Sequence, residues 1–130
     1  MPHIHLDYSP NLATRLEIPA LCRVLADAAA ATGVFPVAGI RVRAVPAAYV
    51  HIADGNPDHA YLDLSVRLRG GRDLATRQAA TQAIFNALES FCAPVMANSS
   101  LMLSMEMRDI DPDLSPKASS IRDYLPKDMQ

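Results

Sequence analysis

Lysine is scarce in this chain: of 12 basic side chains, all but Lys117 and Lys127 are arginine, the residue whose planar fork grips carboxylates through paired hydrogen bonds. An overall electrostatic field is missing too. The formal net charge is −2 and the pI about 6.0, so nothing global attracts nucleic acid or an anionic membrane, and any anion site must be local. No apolar run approaches the ~18 residues of a membrane span. The N-terminus lacks the basic-then-apolar order of a secretory leader, and the sequence reads as that of a cytoplasmic protein. With only two cysteines, Cys22 and Cys92, there is no disulfide framework. Each falls in the apolar stripe of a predicted helix, where a buried, reduced thiol is expected. His3 and His5 share a strand face by the period of two, but no Cys, Asp or Glu completes a recognised ligand spacing beside them. No metal site is expected.

What is present fits one compact domain over residues 1–130, long enough to bury roughly two-thirds of its unfolded surface. Met1-Pro2 opens directly into an alternating pattern, with Pro2, Ile4, Leu6 and Tyr8 on one face and His3, His5 and Asp7 on the other, the signature of a half-buried strand. Removal of Met1 would leave Pro2 with a secondary amine fixed at a strand end. An α-amine titrates at about 7.7–8.0 when unperturbed, and burial or neighbouring cations would make it neutral and basic at physiological pH. Pro2 is therefore a candidate general base.

Residues 18–32 carry Ile18, Leu21, Cys22, Leu25, Ala28 and Ala29 at helical spacing, with Gly33 as the expected residue after the C-cap. Thr14 and Glu17 have capping-box spacing, whereas Pro19 suits a later first turn. Residues 39–46 alternate again as a second strand. After a turn-rich loop with Asp54-Gly55-Asn56-Pro57, Ala60, Leu62, Leu64, Val66 and Leu68 define the inward side of a third strand. Asp73 is placed to cap a helix over about 74–92, with Arg72 at that helix's N-terminal approach. Residues 101–108 form a fourth strand, and Pro112 and Ser115-Pro116 lead into a short helical tail over about 113–130.

The order strand-helix-strand thus occurs twice, giving an α/β sandwich: a four-stranded sheet with both helices on one face. Alternate positions on the other face, among them Asp63, Arg67, Arg69 and Glu106, are polar. An oligomer interface of paired charges and hydrogen bonds is expected to cover it.

Several of these residues together resemble a known family. Pro2, the stretch Ala31-Thr32-Gly33-Val34-Phe35-Pro36-Val37-Ala38-Gly39-Ile40-Arg41, Ala53-Asp54-Gly55, Gly71-Arg72 and Arg77-Gln78 are similar to the 5-carboxymethyl-2-hydroxymuconate isomerase family of the tautomerase superfamily. The similarity runs to about residue 108 and weakens in the tail. It implies a βαβ-βαβ protomer, a homotrimer, no cofactor and no metal. It also implies conversion of a dienol tricarboxylate to its conjugated keto isomer in homoprotocatechuate (4-hydroxyphenylacetate) breakdown.

On this chain the family's catalytic proline corresponds to Pro2 and its carboxylate-binding arginines to Arg41 and Arg72. Composition alone does not single out Arg41 over Arg43, or Arg72 over Arg69. Phe35 is assigned a substrate-side role as an apolar wall that keeps the amine neutral. Two other functions fit the same residues: a tautomerase acting on another unsaturated acid, and a trimer in which Pro2 is silent.

Overall fold

The structure, a computed structural model, describes residues Met1–Gln130. Its elements run β1 (Pro2–Tyr8), α1 (Ile18–Ala31), β2 (Arg41–Pro46), β3 (Ala60–Arg69), α2 (Leu74–Asn98) and β4 (Leu101–Ile110). The four strands form one sheet in the order β2-β1-β3-β4. Within it β1 pairs in parallel with β2, β3 in parallel with β4, and β1 antiparallel with β3.

Alternation decides which face is covered. Ile4, Leu6 and Tyr8 of β1 and Ala60, Leu62, Leu64, Val66 and Leu68 of β3 are buried. They meet Leu21, Leu25 and Ala29 of α1 and Ala80, Ile84, Leu88 and Cys92 of α2 in one core. α1 lies over β2 and α2 over β4, with the helices packed on each other. The opposite face carries polar side chains that bond across strands: Tyr61 Oη donates to Asp7 Oδ1 at 2.6 Å and Ser104 Oγ to Asp63 Oδ1 at 2.7 Å. The Asp7 carboxylate, aided by burial, pushes the Tyr61 hydroxyl up to about 12, because losing that proton would set two anions together.

Three details depart from the sequence reading, each for a local reason. The Thr14–Glu17 capping box does not form: Thr14 ends a 3₁₀ turn over Pro10–Thr14, its hydroxyl donating to Asn11 O at 3.1 Å. α1 starts at Ile18 with Pro19 in the first turn, where a missing N–H costs nothing; it ends as expected before Gly33, whose φ is +70°. β2 begins at Arg41 because Val37–Gly39 close a 3₁₀ turn. α2 runs six residues past its expected end, through Pro94. The proline forfeits one backbone bond, but Asn98 Nδ2 caps Pro94 O at 2.8 Å and Ser99 Oγ caps Val95 O at 2.9 Å, satisfying carbonyls the helix end leaves open. Asp73 caps the other end as anticipated, accepting from Thr76 N at 2.7 Å.

The tail contains short 3₁₀ turns, Ile121–Tyr124 and Lys127–Met129, the first of them at the residues where a short helical turn is expected. Cys92 is buried, which pushes its thiol up to about 11, while Cys22 is half-buried; both are free. The loop after β2 is anchored by His59, which bonds Asp54 Oδ1 at 2.9 Å through Nε2 and Ser100 Oγ through Nδ1. No helix is long and apolar enough to cross a membrane.

Leu64 is fully enclosed on β3, an inner strand. Leu64→Ala should therefore cost about 2–5 kcal/mol of unfolding free energy by urea titration; a loss below about 1 kcal/mol would contradict this core.

Candidate active site

The strand directions bring one end of the sheet into focus. Because the β1–β2 pair runs opposite to the β3–β4 pair, the starts of β1 and β2 share an edge with the ends of β3 and β4: Pro2 faces Leu68, His3 faces both Arg41 and Arg67, and Arg69 faces Ile110. The approach to α2 begins at the same edge, with Gly70 to Asp73. Residues scattered over the whole sequence thus meet around the start of β1.

Pro2 is fully buried there, on the core side of β1. Its nitrogen is acylated by Met1 and holds no basic lone pair in this form of the chain. The Met1 amine lies against Gly39, where a side chain would strike it; a residue without Cβ is required at that approach. Burial holds the Met1 amine below its ordinary value of 8.0, and the charges of Lys117, Arg72, Arg41 and Arg69 add to the shift in that order. The sign follows from the field: cations disfavour another cation.

A cavity of about 280 Å³ opens beside Met1. Pro36, Ala38 and Ile121 form apolar wall, Arg41, Lys117 and Arg122 bring positive charge, and no carboxylate lines it. Another space of about 120 Å³, also against Met1, is lined by Arg69 and again Lys117.

Arg41 is exposed and donates to His3 Nε2 at 2.6 Å, a bond to a neutral ring acceptor. Burial, then the Arg41 charge, holds His3 below 6.5, which keeps that acceptor available. Met1 Sδ stands 3.2 Å from His3 Nε2 and 3.6 Å from Arg41, so the methionine side chain covers this pair. Arg43 lies opposite His5 and does not line the cavity. The structure therefore separates the two arginines that composition leaves equivalent.

Arg72 is held differently. Its guanidinium donates to Arg69 O and Val34 O, both at 2.8 Å, and lies 5.7 Å above the Phe35 ring. Two of its five donors are committed to backbone, and it acts on the amine through charge without lining the cavity. Phe35 is a core residue, 4% exposed. It does not form the apolar wall expected of it, because its ring is spent as the platform under Arg72. Arg77, part of the stretch that resembles the family, faces β4 instead, 3.8 Å from Asp109.

Sequence reasoning missed Lys117, Arg122 and Arg69. The first two lie in the tail, where neither periodicity nor resemblance marks a position, and only the return of the chain over the sheet edge brings them in. No group of three or more His, Cys, Asp or Glu side chains is arranged to hold a metal ion.

A mixed four-stranded sheet under two helices, with a proline starting an inner strand amid cations, defines the class: the tautomerase fold. More distant solved structures share it, including a fused 4-OT symmetric trimer at 12% identity and a TM-score of 0.67, covering 89% of this chain and 93% of that one. Residues 2–125 match the family model described as 5-carboxymethyl-2-hydroxymuconate isomerase, and the chain belongs to that family. It is 32% identical over 121 residues to 5-carboxymethyl-2-hydroxymuconate Delta-isomerase of Escherichia coli, across 93% of this chain and 96% of the relative. A crystal structure of a 5-carboxymethyl-2-hydroxymuconate delta-isomerase superposes with a TM-score of 0.90 at 30% identity, covering 98% and 94% of the two chains. That of a 5-carboxymethyl-2-hydroxymuconate isomerase from Deinococcus radiodurans R1 gives 0.87, also at 30% identity, over 96% and 95%.

The His3–Arg41 contact is testable by NMR titration. His3 should titrate below 6.5 and move upward in Arg41→Met, where the second-largest cause of its depression is gone. Since the folded pKa is the lower one, the linked stability is complete above about pH 6.5 and is lost as pH falls through the folded value. An unchanged His3 titration in Arg41→Met would show that the two do not interact.

Proposed function

We propose that this protein is a cofactor-independent isomerase that converts 5-carboxymethyl-2-hydroxymuconate to its conjugated keto isomer, with Pro2 as the proton carrier once Met1 has been removed. The observation that supports it most is the Met1 amine, which sits immediately before Pro2, partly buried and among cations with no carboxylate on the adjoining cavity.

The chemistry follows from that environment. Freed of Met1, the Pro2 nitrogen is a secondary amine one residue from the Met1 amine, which burial and the charges of Lys117, Arg72, Arg41 and Arg69 hold below 8.0, and the same cations favour its neutral form. It takes the proton of the substrate's 2-hydroxyl. The oxygen's electrons form the C2 carbonyl, the C2–C3 double bond shifts to C3–C4, and the C4–C5 electrons take a proton at C5 from protonated Pro2 or a water. One proton enters and one leaves, so the balance needs no oxidant, reductant or cofactor. Arg41 grips a carboxylate at the cavity mouth, and Arg72, pinned by Val34 O and Arg69 O, stabilises negative charge as it spreads along the conjugated system.

The working molecule is a homotrimer in this reading. The uncovered sheet face is too polar to be a dry core yet contains a half-buried His5 whose Nε2 finds no partner, and a closed cyclic assembly covers the face and protects the strand edges. Light scattering at micromolar concentration should give about three times 14.1 kDa; a stable monomer would rule the assembly out.

Two activity measurements test the mechanism. Turnover of the dienol tricarboxylate should follow the Met1-free fraction found by intact mass, and full activity in wholly Met1-bearing protein would remove Pro2 from it. Arg41→Ala and Arg72→Ala should each lose roughly 2–5 kcal/mol of transition-state stabilisation in kcat/KM, with Arg43→Ala losing far less. Arg41→Ala and Arg72→Ala variants within about twofold of wild type would refute the carboxylate clamp.

A further inference from the structure

We propose that Lys117, on the C-terminal tail, holds the substrate's carboxymethyl carboxylate; this rests on the isomerase reading above. The substrate has three carboxylates, two joined directly to the conjugated system and one on a freely turning methylene. Arg41 and Arg72 are tethered, the one to His3 and the other to two backbone carbonyls, so neither guanidinium is free to follow a substrate arm that turns. Lys117 differs. It is exposed, forms no ion pair or hydrogen bond, and lines both of the spaces that Met1 lines.

Its position is fixed by how the chain leaves β4. Ser115 Oγ donates to Asp111 O at 2.6 Å, Leu114 N to the same carbonyl at 3.3 Å and Asp113 N to Asp111 Oδ1 at 2.9 Å. That turn sends the tail back across the sheet end. It sets an ammonium on a flexible four-carbon stem beside a cavity without a carboxylate, and such a point charge can follow an arm that turns. Among the cations, Lys117 also has the largest effect on the nearby Met1 amine, in keeping with a charge directed into the site.

The test compares wild type, Lys117→Met and Lys117→Arg on the tricarboxylate and on 2-hydroxymuconate, the dicarboxylate without the carboxymethyl arm. The dicarboxylate is read as turnover, or as competitive inhibition if it is not turned over. Lys117→Met should lose about 10–100-fold in kcat/KM on the tricarboxylate and less than about threefold on the dicarboxylate, with Lys117→Arg recovering most of the loss. Far-ultraviolet circular dichroism checks that each variant folds. Equal losses on both compounds, or none on the tricarboxylate, overturn the assignment while leaving the isomerase standing. A Met1-free wild type inert toward both compounds overturns the isomerase reading and this inference with it.

Discussion

The position of β1 inside the sheet is the constraint on which the rest depends. It is hydrogen-bonded to β2 on one edge and β3 on the other, so its register admits no slip without turning Ile4 and Leu6 out of the core. Pro2 is thereby held at a defined place at the strand's start. A proline is suited to that place, since the first residue of a strand can lack a donor N–H without breaking the ladder. An amine on a loose terminus would be solvated and would titrate as in a peptide.

Grouping cations around such a nitrogen costs stability, because no carboxylate offsets them at the cavity. The structure limits that cost by giving Arg72 two carbonyl acceptors and an aromatic platform, and Arg41 an imidazole acceptor. These partners are neutral. They fix the guanidinium groups without cancelling their charge, so the field at the amine survives, whereas an aspartate in their place would have orientated the arginines and quenched the field together.

Much of this was legible in the residues. The four strands followed from alternation over 2–8, 39–46, 60–69 and 101–108, and the inward sides of β1 and β3 were identified correctly because a half-buried strand leaves no other choice. The end of α2 was not legible, since Pro94 reads as a stop and the side chains that close the helix beyond it, Asn98 and Ser99, read as loop. Within the candidate site, the resemblance pointed to Arg41 over Arg43, and strand register supplies a physical ground: Arg41 lies opposite His3 at the start of β1, Arg43 two pairs further in. Lys117 could not be found this way. It owes its place to a turn at Asp111–Ser115 and a cavity that exist only in three dimensions.

The tail's irregularity and its importance to the site have the same origin. A packed C-terminal helix would bury its own apolar face against the sheet and direct its polar side chains to solvent. The irregular segment from Asp111 onward instead lies over the end of the sheet, putting Lys117 and Arg122 beside the cavity. Such a segment adds little to the core, as the exposure of Leu114 and Tyr124 shows. Its side chains can therefore vary at small cost in folding stability. Changes there alter the charge facing the substrate while the inner strand that holds Pro2 stays fixed. The fold thus separates the rigid part, which places the nitrogen, from the variable part, which sets the charge the cavity presents to a polyanion.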